Sequence, residues 1–183
     1  MERIFKILIF TDLDGSLLHR DTFKFDEIKN YLRELISKGI FIIPNTSKTE
    51  EEILEFNNEL DSNLPFISEN GAAINGLNLL NSDLPKELIL SREKDNLLNI
   101  FKNIAPTNLQ NKCIWVSSME KKKQSLIFGL DDKKLNLALN RKYTIPFIFN
   151  GTKTEKNLLS KIIRKEGLFL QEGGRVINLT DRT

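Results

Sequence analysis

Phe10-Thr11-Asp12-Leu13-Asp14-Gly15-Ser16 places two aspartates one residue apart, directly after a short apolar run. In an extended segment residues i and i+2 point to the same side. Asp12 and Asp14 therefore face one site together. Two close carboxylates repel each other unless a cation or a proton offsets the charge. A Mg2+ ion held by oxygen ligands and shared with a substrate phosphate answers that need. Gly15 permits a tight turn that frees backbone N–H groups for an anion. The plain alternative, a solvated pair of loop aspartates, fits poorly with a strand end followed by Gly15-Ser16.

A second segment, Pro44-Asn45-Thr46-Ser47-Lys48-Thr49, follows the next apolar run. Thr46 and Ser47 offer hydroxyls just ahead of a helix N-terminus, where a phosphate oxygen is well received. Lys48 adds a cation. Helix capping by Ser47 or Thr49 explains the same residues without a ligand, and both roles can coexist. A third segment, Ser68-Glu69-Asn70-Gly71, contains a turn pair that needs no functional reading. Glu69 and Asn70 nevertheless open toward the edge that carries Asp12 and Thr46.

These segments need a scaffold that brings strand ends together. Ile7-Leu8-Ile9-Phe10 reads as a strand buried on both faces. Ile28, Tyr31, Leu32, Leu35 and Ile36 recur at helical spacing from Asp26, and Gly39 stands at the C-terminal end. Ile40 to Ile43 is the second strand. Thr49 and Glu52 form a capping box for a helix carrying Ile53, Phe56 and Leu60. Leu64 to Ile67 is the third strand. This alternation with short connections predicts a parallel sheet in an α/β fold.

The rhythm changes after about Leu80. Leu97, Leu98, Phe101 and Ile104 suggest a helix, and Cys113 to Val116 a strand. Short helices follow near Lys121–Phe128 and Asp131–Arg141. Ile145 to Phe149 reads as a strand that Pro146 relegates to an edge or an irregular segment. Leu158 to Ile163 is helical, and Leu168 to Gln171 with Arg175 to Leu179 form a hairpin turned near Gly173-Gly174. The expected division is 1–82 for the core and 83–183 for an α+β cap that ends near the return to the core.

The chain has 183 residues, 40% apolar and 28% charged, with a net charge of +2. Lys residues are spread along it, so no nucleic-acid partner is implied. A single Cys excludes an internal disulfide and a Cys-based zinc site. No apolar stretch reaches membrane-spanning length. Met1 to Phe10 reads as a strand leading into Asp12 rather than as a signal peptide, so a cytoplasmic location is the expectation. His19 has no ligand partner and is expected in a loop. Cys113 and Trp115 fit a half-buried strand.

FTDLDGSLL (Phe10–Leu18), NTSKT (Asn45–Thr49) and SENGAAI (Ser68–Ile74) together resemble the haloacid dehalogenase superfamily of aspartate-nucleophile phosphatases. Arg141 to Phe147 is similar to a cap segment R-x-Y-S-E-P-F, and Gly173-Gly174-Arg175 to a cap glycine–arginine turn. Both point within the superfamily to the mannosyl-3-phosphoglycerate phosphatases. The resemblance implies a partial Rossmann-like parallel-sheet core with an α+β cap. It implies Asp12 as the nucleophile that forms an aspartyl-phosphate, and Asp14 as general acid, then base. Mg2+ would be held by the Asp12 carboxylate and the Asp14 backbone carbonyl. Thr46 and Ser47 would bind the phosphoryl group. Lys48, Asn70, Arg141, Gly174 and Arg175 would lie near the sugar or glycerate, with Arg suited to a bidentate grip on a carboxylate. The substrate implied is a small phosphorylated glycosyl-glycerate, mannosyl or glucosyl.

The sequence departs from that pattern in places. Ile145 stands where the family has Glu. A late Lys and an acidic G-D-x-x-N-D motif, whose Asp completes the metal site, are not found after the cap. Three strands make a narrow sheet, to which roughly two more βα units of ~30 residues would normally belong. An exposed core face or edge is therefore expected, which a partner chain would complete. The alternative function is a truncated, split or non-catalytic form that binds a sugar phosphate. A metal-binding glycosyltransferase D-x-D would not predict Thr46 or the cap segments. A receiver domain would not carry an α+β insert of this size.

Overall fold

The computed structural model describes residues 7–182. Of the stretch Met1 to Phe10, residues 1–6 lie outside the described residues. The chain divides into two compact units, one ending at Leu90 and the other beginning at Ser91.

In the first unit, β1 (Leu8–Thr11) leads through a loop to α1 (Asp26–Ser37), β2 (Phe41–Pro44) and α2 (Glu50–Leu60). β1 and β2 pair in parallel, with Thr11 opposite Pro44. β3 (Phe66–Ser68) joins β2 by a single parallel bridge, Asn45 to Ile67. The Asn70-Gly71 turn then folds the chain straight back, so β3 pairs antiparallel with β4 (Ala73–Asn75). A short helix, α3 (Leu77–Leu80), and β5 (Glu87–Ile89) complete a three-stranded sheet. The parallel layer is thus narrower than the alternation of elements predicts, and β4 and β5 give no apolar period long enough to read from sequence.

The core of this unit gathers residues of the first loop, α1, β2, α2 and β3. Leu13, Ile42, Ile53, Leu60 and Phe66 are fully or almost fully buried with Leu32 and Phe56. Ile28, Leu35 and Ile36 of α1 pack against them, as helical spacing predicts, whereas Tyr31 is exposed. Burial of β1 on both faces is overturned. Ile7, Leu8, Ile9 and Phe10 are 56%, 43%, 39% and 58% exposed. Apolar runs are buried on both faces only where neighbours cover both, and β1 has a paired strand on one edge alone.

The second unit runs α4 (Lys94–Ile104), α5 (Thr107–Gln110), β6 (Cys113–Trp115), α6 (Lys121–Phe128), α7 (Asp132–Leu139), β7 (Ile145–Phe149), α8 (Lys153–Ile163), β8 (Phe169–Glu172) and β9 (Ile177–Thr180). Its four strands form one antiparallel sheet in the order β6-β7-β9-β8. Leu97, Phe101, Leu159 and Ile163 of the helices bury against Phe147 and Leu179. The Trp115 ring meets Phe101 edge-on at 5.3 Å and lies 5.1 Å from Phe147. β7 is central, not the edge strand that Pro146 suggests. Its ladder to β6 stops at Phe147, so a missing N–H at Pro146 is tolerated on that side.

Among the described residues no helix is long and apolar enough to cross a membrane.

Candidate active site

Asp12 leaves the end of β1 with its side chain exposed, and its Oδ1 accepts the Leu13 N–H at 2.7 Å. Leu13 is fully buried and anchors the turn. The Leu18 N–H donates to the Leu13 carbonyl, and the Gly15 N–H to the Leu18 carbonyl, both at 2.8 Å. Gly15 adopts φ +77°, which a side chain would resist. The turn is tight, and two of its N–H groups are already engaged. Gly15 spends its own on Leu18, and Ser16 donates to Leu13 at 3.2 Å.

Backbone bonds gather the three segments at one end of the parallel layer. The Asn45 N–H donates to the Thr11 carbonyl at 2.8 Å, and the Thr46 N–H to Ile67 at 3.1 Å. The N–H groups of Glu69 and Asn70 return to the carbonyls of Lys48 at 2.9 Å and Thr46 at 3.0 Å. Glu69, Asn70 and Gly71 all have positive φ, at 46°, 62° and 87°. Two successive non-glycine residues in that region store strain, which tends to persist where a site requires it. The Asn70 Nδ2 is buried without an acceptor, a donor suited to a ligand oxygen.

Thr46 is buried and Ser47 exposed. The α2 N-terminus behind them is already satisfied. Thr49 and Glu52 form the predicted capping box, and Glu50, Glu51 and Glu52 fill the first turn. Those acids complement the helix dipole and compete with an anion there. A phosphate would be met by the Thr46 and Ser47 hydroxyls more than by the helix end.

Lys48 is held between two carboxylates. Its Nζ lies 3.1 Å from Asp14 Oδ1 and 3.2 Å from Glu52 Oε1, and 5.0 Å from the Phe23 ring centre. The ammonium is directed at the second aspartate and at Glu52. Glu52 is the residue that sequence reasoning missed here. Its capping role was legible, with Oε2 accepting the Thr49 N–H at 2.9 Å, but not that Oε1 would hold Lys48.

Among the described residues no three His, Cys, Asp or Glu side chains gather as a metal site. Asp12 and Asp14 are hard oxygen donors. A small set of this kind fits a Mg2+ ion, which keeps several waters and shares substrate phosphate. His19 is structural, its Nδ1 accepting the Asp21 and Thr22 N–H groups at 3.3 Å each.

The remaining predicted residues belong to the second unit. Arg141 is buried and donates from Nη1 to Thr144 Oγ1 at 2.8 Å. Gly174 is exposed in the β8–β9 turn. Arg175 donates from Nη1 to the Phe128 carbonyl at the end of α6.

A family model described as haloacid dehalogenase-like hydrolase matches residues 9–166. Curated relatives include a glucosyl-3-phosphoglycerate/mannosyl-3-phosphoglycerate phosphatase of Persephonella marina. It is 31% identical over 179 residues, which is 94% of this chain and 66% of the relative. A protein of the same description from Methanococcoides burtonii is 30% identical over 186 residues, 93% of this chain and 65% of the relative. The chain thus spans about two thirds of the length of these relatives. Among solved structures, a haloacid dehalogenase-like hydrolase from B. subtilis superposes with a TM-score of 0.64 at 16% identity. The match covers 96% of this chain and 73% of that one, and shows a shared fold.

Proposed function

The chain belongs to the haloacid dehalogenase-like hydrolases, and on that footing we propose that it is a Mg2+-dependent phosphatase of glucosyl- or mannosyl-3-phosphoglycerate. The observation that carries the reaction class is the backbone network joining Thr11 to Asn45, Thr46 to Asn70 and Lys48 to Glu69. It holds Asp12, Asp14, Thr46 and Asn70 on three adjoining loops. The substrate class rests on the two curated relatives, both named for these glycosyl phosphoglycerates.

In this mechanism the Leu13 N–H holds Asp12 Oδ1, leaving the other carboxylate oxygen to attack phosphorus. The new bond is O–P, the bond to the glycerate oxygen breaks, and Asp14 gives that oxygen its proton. Water then attacks the aspartyl-phosphate, Asp14 takes its proton, and Asp12 is released with inorganic phosphate. Thr46, Ser47 and the Asn70 amide bind the phosphoryl oxygens, since positioning and charge stabilisation dominate such transfers. The Asp12 carboxylate and the Asp14 carbonyl would hold Mg2+, which when bound neutralises phosphate charge. Lys48 orients Asp14.

The test is phosphate release from both glycosyl phosphoglycerates with Mg2+, using the full-length gene product. Inertness on both rejects the substrate, and activity surviving in Asp12→Asn rejects the nucleophile.

A second reading is favoured by the exposure of Ile7 to Phe10 on β1. Here the chain binds a sugar phosphate without turnover until a further βα segment of polypeptide pairs with that edge and adds a Lys and an acidic metal ligand. Phosphate binding without release by residues 1–183 alone would select this reading. Full turnover by them would reject it.

A further inference from the structure

The Asp14 carboxylate stands on the first loop, and among the described residues the Lys48 ammonium is the group that holds it. An ion pair as open to solvent as this one adds little to stability. It fixes a direction instead, provided that the ammonium is itself fixed. A lysine head group sits on a flexible four-carbon stem and does not keep one position unaided. Lys48 is given a second anchor in Glu52 Oε1, and both of those side chains are almost wholly buried.

Glu52 is fixed in turn. Its Oε2 accepts the Thr49 N–H at 2.9 Å, and its own N–H donates to Thr49 Oγ1 at 3.3 Å. Thr49 is fully buried at the start of α2. The Phe23 ring covers the ammonium from the first loop, and Phe23 stands at φ +56°, where bulky residues are rare. Capping alone does not require a carboxylate at position 52, since glutamine closes a capping box as glutamate does. Glutamine would lack the negative oxygen that faces Lys48. With two carboxylates against one ammonium, Lys48 has no net positive charge left for a phosphate.

We propose that Glu52 is a positioning residue for phosphoryl transfer: through Lys48 it holds the Asp14 carboxyl where its proton reaches the departing oxygen. Lys48 engages Oδ1, so the proton leaves from Oδ2. As the ester P–O bond breaks, that proton passes to the leaving oxygen. Asp14 remains as a carboxylate, whose charge the ammonium offsets. The inference rests on the reaction class assigned above and not on the glycosyl phosphoglycerate as substrate.

Leaving groups report on a general acid. An alkoxide needs a proton to depart, whereas p-nitrophenolate departs without one at neutral pH. The test compares kcat/KM for two alkyl esters, glycerol 2-phosphate and mannosyl-3-phosphoglycerate, with that for p-nitrophenyl phosphate. It uses the full-length gene product with Mg2+. Glu52→Gln keeps an acceptor for the Thr49 N–H. It should lower the alkyl values about tenfold or more, and the aryl value less than about threefold. Lys48→Met should show the same split, and adding Glu52→Gln to it should widen the split no further, because Glu52 acts through Lys48. Glu52→Asp draws the charge back by one methylene and should give a smaller split, which carries the test if Glu52→Gln does not fold. Thr49→Val weakens the cap of α2 but leaves both carboxylates, and should lower alkyl and aryl values alike.

An equal loss on alkyl and aryl esters in Glu52→Gln overturns the proposal, because Glu52 is then structural. The same split in Thr49→Val, or a further split in the double variant, also overturns it. A wild type that cleaves the esters, with Glu52→Gln unchanged, leaves the phosphatase standing and removes this proposal. The expected split in a wild type inert on both glycosyl phosphoglycerates supports the proposal and rejects that substrate. A wild type inert on every ester removes the proposal together with the phosphatase.

Discussion

The direction of the Lys48 ammonium decides whether it is structural furniture of the site or free for a ligand, and a double-mutant cycle reads it. Lys48 and Glu52 side chains are 11% and 10% exposed with Nζ–Oε1 at 3.2 Å, while Asp14 is 39% exposed at 3.1 Å. At an effective dielectric of 20 either pair attracts by about 5 kcal/mol before desolvation. Loss of one partner of a fully buried pair costs roughly 3–5 kcal/mol. Glu52 keeps the Thr49 N–H after Lys48 is removed, so Lys48→Met should cost less, about 2 kcal/mol. The coupling between Lys48→Met and Glu52→Gln should be about 1.5 kcal/mol. With Asp14→Asn it should stay below about 1 kcal/mol, because solvent screens the more exposed partner. Urea unfolding at pH 7 followed by circular dichroism measures all the corners. Couplings near zero with both Glu52 and Asp14 would refute the geometry, and would return Lys48 to the substrate.

Three other outcomes are expected. Glu155 accepts from Lys112 Nζ at 2.5 Å and from the Thr152 N–H, which lowers its pKa from 4.5 to about 2. A lowered folded value adds stability above the unfolded pKa that is lost as pH falls from about 4.5 toward 2. Glu155→Gln should therefore flatten the acid unfolding profile in that window, and an unchanged profile contradicts the assignment. Burial pushes the Cys113 thiol up to about 12. Its labelling by a disulfide reagent at pH 8 should be slow in the native chain and fast in urea. Phe101 is fully buried against Trp115. Phe101→Ala should cost about 3–5 kcal/mol and change Trp115 fluorescence. A cost under about 1 kcal/mol would mean the second core is not built on this contact.

Much of the fold and site was legible because its signals sit in contiguous residues. The period of Ile28, Leu32, Leu35 and Ile36 marks a helix face wherever that helix lies. Thr49 and Glu52 cap α2 with atoms three residues apart. Gly173-Gly174 turns its hairpin locally, with the Gly173 N–H on Val176. Asp12 and Asp14 follow from a strand end and a one-residue spacing, and the family is carried by such short motifs. What tertiary structure decided depends on partners distant in sequence. Ile7 to Phe10 have the composition of a buried strand, yet burial belongs to the neighbours, and among the described residues only β2 pairs with it. Pro146 reads as an edge residue until the sheet order places it in a central strand, beyond the end of one ladder. Lys48 can point toward solvent, ligand or Asp14, and only the packing of α2 against the first loop selects Asp14.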